Sequence, residues 1–431
     1  MHLVGRHMKT LRARRTLELR PQRQAGPQSE LRRLDGLPAV VSCPACGSPG
    51  THTFHEQRGI PVHATIVLES REEALQHPTG DMELAWCRSC GFISNTRFDD
   101  RLLDYAGRHE ESQGFSPRFQ KFAKELARRW IDRYDLAGKT VLEIGCGKGY
   151  FLELMVSEGV GRGIGVDPGC DPGRATSVSA NRIDWIKDYF SPIYAEANPD
   201  AIVCRHTLEH IHDVTAFLQL IRLSVSDRRD VVVLFEVPDA LCVLQAGAFW
   251  DVYYEHCGYF TPGSLARTFR SAGFDILDLE RVYSGQYLVI EMRPRPEGHA
   301  AAAPLPLEES PAVVEAATAV FASTFRGRIA TWQTRLRQAR AERKRGVIWG
   351  GGSKGMGYLT ALGPDAGIDF VVDINPHLQG RYMPGTGQQV VGPEILKEYQ
   401  PDFVIIMNAV YLDEIRAMLL RMDLDPVLLT A

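Results

Sequence analysis

The chain has 431 residues, of which 44% are hydrophobic and 24% charged, and its formal net charge is −4. That length exceeds one ordinary domain and predicts about three, while the composition is that of a soluble globular protein. The acidic balance argues against nucleic acid or an anionic membrane as partner, and no apolar run approaches the length of a transmembrane helix.

Residues 1–38 are rich in arginine and poor in large apolar side chains, which predicts a disordered basic tail. Glu18, Glu30 and scarce serine argue against a mitochondrial transit peptide, and no apolar stretch suits a secretory signal, so a cytoplasmic location is the default expectation. Two C-x-x-C pairs follow, Cys43/Cys46 and Cys87/Cys90, each succeeded by glycine. Two such knuckles supply the tetrahedral sulfur set that Zn²⁺ favours in structural sites. Residues 39–98 are therefore expected to form a small zinc-binding module that depends on its metal, with strands at 63–69 and 82–86. Zinc ribbons also bind nucleic acid, so a zinc-ribbon RNA-directed protein stands as the lesser alternative. The other five cysteines are scattered and predict no disulfides.

Residues 99–135 read as helical, with Phe119, Phe122, Ala123, Leu126, Trp130 and Ile131 as the apolar stripe. Tyr105 and the polar run His109-Glu110-Glu111-Ser112-Gln113 are placed to reach a substrate. The stretch 140–149, TVLEIGCGKG, is an apolar strand running into a glycine turn, and 150–157 is the helix after it. A Cβ in such a turn blocks both positive φ and close approach of a ligand, and the following helix points its unpaired N–H groups at whatever lies above. The spacing is G-x-G-x-G with Glu143 two residues before the first glycine, not the dinucleotide G-x-G-x-x-G. A second strand at 163–166 ends in Asp167, positioned for ribose hydroxyls. This constellation resembles the class I S-adenosylmethionine (SAM) methyltransferases, with Glu143, Gly145, Gly147 and Gly149 as the first motif and Asp167 as the second. The resemblance puts Asp188, the acid after the third strand, beside the adenine.

The fourth strand, 201–204, runs into Arg205-His206-Thr207-Leu208-Glu209-His210-Ile211. His206 to His210 matches H-x-x-E-H, an inverted zinc-protease pattern. It begins at a strand tip of a cofactor-binding fold, however, where His206 is expected at the cofactor and His210 at the substrate. A fifth strand at 231–237 precedes an unusually aromatic stretch, 249–261, that sets Glu255 beside His256. Thr261 and Pro262 predict a capped helix start, and strands at 274–279 and 286–292 complete a seven-stranded sheet. A Pro/Ala-rich linker at 294–322 with alanine-rich helical content and a basic helix at 325–345 lead to GVIWGGGSKG at 346–355, a second strand-turn-helix unit, with further strands at 370–373 and 401–407.

Taken together, C-x-x-C…C-x-x-C, LEIGCGKG, H-x-L-E-H-I and Y-x-E-H-x-x-Y-F-T resemble the sugar C-methyltransferases, which act on nucleotide-linked 4-keto-deoxysugars. The resemblance runs from Cys43 to the C-terminus. It implies an α/β chain with a class I SAM methyltransferase Rossmann-like core at 99–295, the N-terminal zinc-binding module, a helical linker at 296–345 and a smaller C-terminal Rossmann-like domain at 346–431. C-methylation needs a base beside a carbonyl and a donor for the enolate oxygen. By resemblance His256 is the base, Tyr253 and Glu255 position it or the ketone, and His210 stabilises the enolate. The cofactors implied are SAM and Zn²⁺, and the partner is a nucleotide sugar that the C-terminal domain helps to hold, with Lys354, Asn375, Arg381 and the turn 384–387 as candidate residues. The chain departs from better-known members at Tyr254, where they carry histidine, at 109–116 and at 284–287. The acceptor therefore stays open to another small molecule methylated on N or O. The oligomeric state stays open too, a monomer being among the options.

Overall fold

The structure, a computed structural model, describes residues 42–105, 108–110, 113–174, 181–226, 228–363 and 366–431. The basic segment 1–38 and, within the polar run, Glu111 and Ser112 lie outside the described residues. No helix among the described residues is long and apolar enough to cross a membrane.

The N-terminal sheet is built from β1 (Thr51–Pro61), β2 (Thr79–Cys87) and β3 (Ile93–Asn95), all antiparallel. The strand expected at 63–69 is instead an irregular loop, with a single β-bridge between Ile66 and His109 among the described residues. Pro61 lacks an N–H and ends β1, and the following apolar residues Val62, Ala64 and Leu68 bury as a loop. The strand preceding that loop carries little sequence signal, because most of its side chains are polar and only His55, Ile60 and Pro61 turn fully inward.

The helix expected over 99–135 is confined to Pro117–Tyr134. Ser116 caps it, its hydroxyl accepting from the Phe119 N–H, and Pro117 occupies the first turn, so the start signal lies there rather than at Asp99. Residues 99–105 instead hold one 3₁₀ turn, Asp100–Leu102, with Leu103 extended after it.

The core sheet follows with β4 (Thr140–Ile144), β5 (Arg162–Val166), β6 (Ile183–Ile186), β7 (Ala201–Arg205) and β8 (Val232–Pro238), all parallel. The chain then leaves this sheet, because β9 (Gly258–Tyr259) pairs with β3 of the N-terminal sheet. It returns with β10 (Phe274–Val282) and β11 (Tyr287–Pro294), which add antiparallel beside β8. The order is β10-β11-β8-β7-β4-β5-β6. β4 sits between β5 and β7, so the connections diverge at its carboxyl end, where ligands bind in open α/β sheets. Its Val141 and Leu142 are fully buried, as expected of a parallel strand covered on both faces.

One continuous helix, Pro311–Ala341, joins the alanine-rich helical stretch and the basic helix of the expected linker. Alanine, the best helix former, recurs through its first half, and Val314, Ala317, Phe321 and Phe325 bury at helical spacing. Phe321 meets Phe54 edge-on at 6.2 Å and Phe325 packs on His55 at 4.2 Å, so the helix braces the N-terminal sheet. The last domain is an all-parallel sheet of β12 (Gly346–Trp349), β13 (Phe370–Val372), β14 (Gln389–Val391), β15 (Phe403–Ile406) and β16 (Val427–Thr430), ordered β14-β13-β12-β15-β16.

Candidate active site

The glycine turn after β4 is packed too tightly for side chains at two of its positions. A Cβ on Gly145, at φ 68°, would sit 2.0 Å from Thr207 Oγ1, and one on Gly149, at φ 87°, would sit 2.2 Å from the Trp185 ring. At Gly147 the space is open, and its N–H donates to Asp167 Oδ2 at 3.0 Å. Asp167 also accepts from the Gly169 N–H at 2.6 Å, which fixes its carboxylate at the tip of β5. Glu143 is buried beneath the turn with Oε2 lacking a hydrogen-bond partner. Burial pushes its carboxyl up to about 7, with Asp167 adding to that and Arg205 opposing it. Asp188 lies exposed just past β6, accepting from the Tyr189 N–H at 2.8 Å and the Tyr194 hydroxyl at 2.5 Å. An orphaned carboxylate oxygen beneath a turn left open at Gly147 suits a nucleoside carrying hydroxyl and ammonium donors.

β7 ends in a buried ion network. Arg205 forks onto Glu236 of β8 at 2.9 and 3.2 Å and stacks over Phe151 at 4.0 Å. The next residue, His206, turns the chain at φ 48°, and its Nε2 lies 2.8 Å from Glu236 Oε1. Burial alone would lower the imidazole and raise the carboxyl. Their mutual attraction wins: Glu236 and Glu209 lift His206 to about 9, while Arg205 and His206 hold Glu236 at about 2. His206 is therefore an imidazolium at neutral pH, its ring edge-on to Tyr287 at 4.5 Å.

Facing this network is the aromatic stretch of residues 249–261. Thr261 caps the next helix in a reciprocal box with Ser264, which anchors the end of the stretch. Tyr253 and Tyr259 tie it internally: the Tyr253 N–H donates to the Tyr259 hydroxyl, which donates to the Tyr253 carbonyl, both at 3.1 Å. His256 is thereby held with its ring 4.2 Å from Tyr253 and 4.8 Å from His210, the two imidazoles being perpendicular. The Tyr105 hydroxyl lies 3.3 Å from His210 Nδ1. Burial, then His210, His206 and Lys354, push His256 well below the usual histidine range. Glu255 accepts from the Ala64 N–H at 2.8 Å and lies 3.6 Å from His109 Nδ1, so its carboxylate joins the stretch to the N-terminal module. Tyr254 stacks on Phe98 at 5.4 Å and its hydroxyl accepts from the Asp99 N–H at 2.8 Å, serving as packing.

One cavity of about 1200 Å³ joins these parts, lined by Gly145, Asp167, Asp188, His206, His210 and His256 among others. Pockets for one ligand usually measure roughly 300–1,000 Å³, so there is room for two molecules. From the C-terminal domain, Lys354 reaches the lining and pairs with Asp251. Asn375, Arg381 and the turn 384–387 do not line it. Asn375 donates to Glu110 Oε1 at 3.2 Å, Arg381 pairs with Glu69 at 3.1 Å, and the Gly385 N–H donates to the Ala74 carbonyl at 2.8 Å. Through Arg381 and Gly385 the C-terminal domain is clamped to the N-terminal module, and through Asn375 to the segment that leads into the methyltransferase core. Sequence reading passed over Glu236, although a lone acid in the apolar run VVVLFEVP was the available signal, and over the Lys354–Asp251 pair, which had none.

The four cysteines converge although 41 or more residues separate the pairs' facing members: Cys43 and Cys90 sulfurs are 3.6 Å apart, Cys46 and Cys87 3.7 Å. All four lie within 4.8 Å of one another. Sulfurs on a tetrahedral ion with bonds of about 2.3 Å stand roughly 3.8 Å apart, so the set fits Zn²⁺.

Two families match the sequence, the methyltransferase domain over residues 118–279 and the C-methyltransferase C-terminal domain over residues 302–423. The C-methyltransferase NovU of Streptomyces niveus is 27% identical over 319 residues, spanning 68% of this chain and 72% of that protein. A ubiquinone biosynthesis O-methyltransferase of Pseudomonas paraeruginosa is 30% identical over 167 residues, 35% of this chain and 71% of that one. The chain belongs to the SAM-dependent methyltransferases. This methyltransferase has the class I fold, and its C-terminal domain is that of the C-methyltransferases. Among solved structures, a 1,6-didemethyltoxoflavin-N1-methyltransferase of Burkholderia thailandensis superposes with a TM-score of 0.33 at 20% identity, covering 42% of this methyltransferase and 82% of that chain.

Proposed function

We propose that this C-methyltransferase places its methyl group on the carbon beside the ketone of a nucleotide-linked keto-deoxysugar, through an enolate. The observation that carries the reading is the perpendicular His210–His256 pair, set in the same cavity as the glycine turn and as Lys354 of the C-terminal domain. A carbon acid needs a base that is unprotonated near neutral pH, and burial keeps the His256 imidazole neutral. His256 takes the proton from the carbon, Tyr253 holds its ring in place, and His210 with Tyr105 faces the developing enolate oxygen. Bound SAM supplies an electrophilic sulfonium methyl, and the new carbon–carbon bond forms as the sulfur–methyl bond breaks.

Glu143, the turn Gly145, Gly147 and Gly149, Asp167 and Asp188 would hold the donor, and His206 backs that wall as a fixed cation. Glu255 positions the base through the backbone it anchors. Cys43, Cys46, Cys87 and Cys90 would hold a structural Zn²⁺ whose closed shell leaves no place for substrate. Lys354 meets the nucleotide's diphosphate on release from Asp251.

The test incubates zinc-replete protein with labelled SAM and a panel of nucleotide-linked 4-keto-deoxysugars in deuterated water. Methyl transfer, with deuterium entering the carbon beside the ketone, is expected. His256→Ala should lower both by about 10²–10⁴-fold while SAM still binds. If SAM binds but no sugar exchanges or gains methyl, the sugar reading fails and another small-molecule acceptor, methylated on N or O, takes its place.

A further inference from the structure

Glu209 is almost entirely buried, at 2% exposure, yet its Oε2 has no hydrogen-bond partner. Leaving a buried carboxylate oxygen unpaired is costly, and such an atom calls for a function. Its other oxygen, Oε1, lies 3.6 Å from His206 Nδ1, which ties it to the Arg205–Glu236–His206 network. A carboxylate oxygen of Glu209 and ring nitrogens of His210 and His256 all lie within 4.8 Å of one another. The Cys257 thiol donates to the Glu209 carbonyl at 3.5 Å, so the turn Leu208–His210 and the stretch bearing His256 are pinned together.

We propose that Glu209 is a positioning residue that acts through the histidine pair, orienting the two imidazoles and supplying the counter-charge when His256 becomes a cation. The role rests on the enolate reading above. The groups facing His256 are His210, His206, Lys354, Tyr253 and Tyr259, of which His206 and Lys354 are cations. Placing a proton there creates a further positive charge in a buried site, which is unfavourable without an anion close by. Glu236 is engaged by Arg205 and His206, and Glu255 by Ala64 and His109. Glu209, one of whose oxygens is uncommitted, is the anion gathered with the pair. The C–H proton moves to the His256 imidazole and the electron pair goes into the enolate, while Glu209 takes no part in the proton transfer.

The experiment compares Glu209→Gln and Glu209→Asp with the wild type in the full zinc-loaded chain. Two readouts are used: deuterium entry into the keto-sugar as a function of pH, and NMR titration of the histidine rings in acceptor-free protein. For Glu209→Gln the expected exchange rate falls about 10²-fold with acceptor KM and SAM affinity little changed. Without the anion the imidazolium is less stable, so the histidine titration and the acid limb of the profile both move to lower pH. Glu209→Asp should recover part of the rate. A rate loss with an unmoved titration and limb, or a loss that tracks falling SAM affinity and melting temperature, makes Glu209 merely structural and overturns the proposal. A wild-type rate in Glu209→Gln overturns it as well. If wild-type protein exchanges no sugar at all, the enolate reading fails, and the NMR titration still reports whether Glu209 couples to the histidines.

Discussion

The two ends of the cavity are built in opposite ways. The donor end is largely local: β4, its glycine turn and Asp167 fall within 28 consecutive residues from Thr140, and Trp185, Asp188 and Thr207 join them from the ends of neighbouring strands of the same sheet. The acceptor end is assembled from afar. Residues 249–261 are gripped by the N-terminal sheet through β9 and Glu255, by the C-terminal domain through Lys354, and by the core through Cys257 and Glu209. A site made from neighbours in sequence needs only its own strand order to form. One made from three modules depends on every interface between them, and each is a separate point of failure.

Breaking the N-terminal module should therefore separate the two ends. Cys87→Ser, or stripping metal with a chelator, is expected to abolish acceptor turnover, because β2 and β3 carry β9 and through it the segment holding His256. SAM affinity, measured by calorimetry on the same sample, should hold to within a few-fold. A parallel collapse of SAM binding would show that the ends are not independent.

A smaller effect is expected at Lys354. Replacing it with methionine removes one charged contact, about 1.5–3 kcal/mol, and leaves Asp251 without that partner. Steady-state kinetics should show acceptor KM rising by at least about tenfold, with SAM affinity unmoved. An unchanged KM would remove the C-terminal domain from acceptor binding.

The smallest effect concerns the wall between the two ends. His206 is raised to about 9 in the fold against an ordinary 6.5. The stability this contributes is fully present below about 6.5 and is lost as pH rises through 9. Glu236, lowered to about 2, contributes above its ordinary range and loses that contribution only in acid. The melting temperature should accordingly fall by a few degrees between neutral pH and pH 9, measured by scanning calorimetry. His206→Gln should lower the melting temperature at pH 6 and flatten the alkaline fall; an undiminished slope would place the titration elsewhere.

By itself the sequence determined whatever is written in short-range pattern. The glycine turn with Glu143 and Asp167, the seven core strands, the Thr261 cap and the cysteine knuckles are each set by a few adjacent residues whose backbone needs leave little choice. The chain at 63–69 and 99–105 and the helix boundary at Pro311 were less legible, since a buried loop mimics a strand and the chain ahead of a cap resembles the helix it precedes. Only the tertiary structure decided which side chains meet. It turned Glu255, the neighbour of His256 in sequence, toward Ala64 and His109, and brought up Glu209 from 47 residues earlier. It also split the candidates of the C-terminal domain, sending Lys354 into the cavity, Arg381 to the N-terminal module and Asn375 to Glu110. Such pairings depend on how sheets and helices pack over long sequence separations. The identity of a residue says what it can bind, and packing alone says what stands opposite.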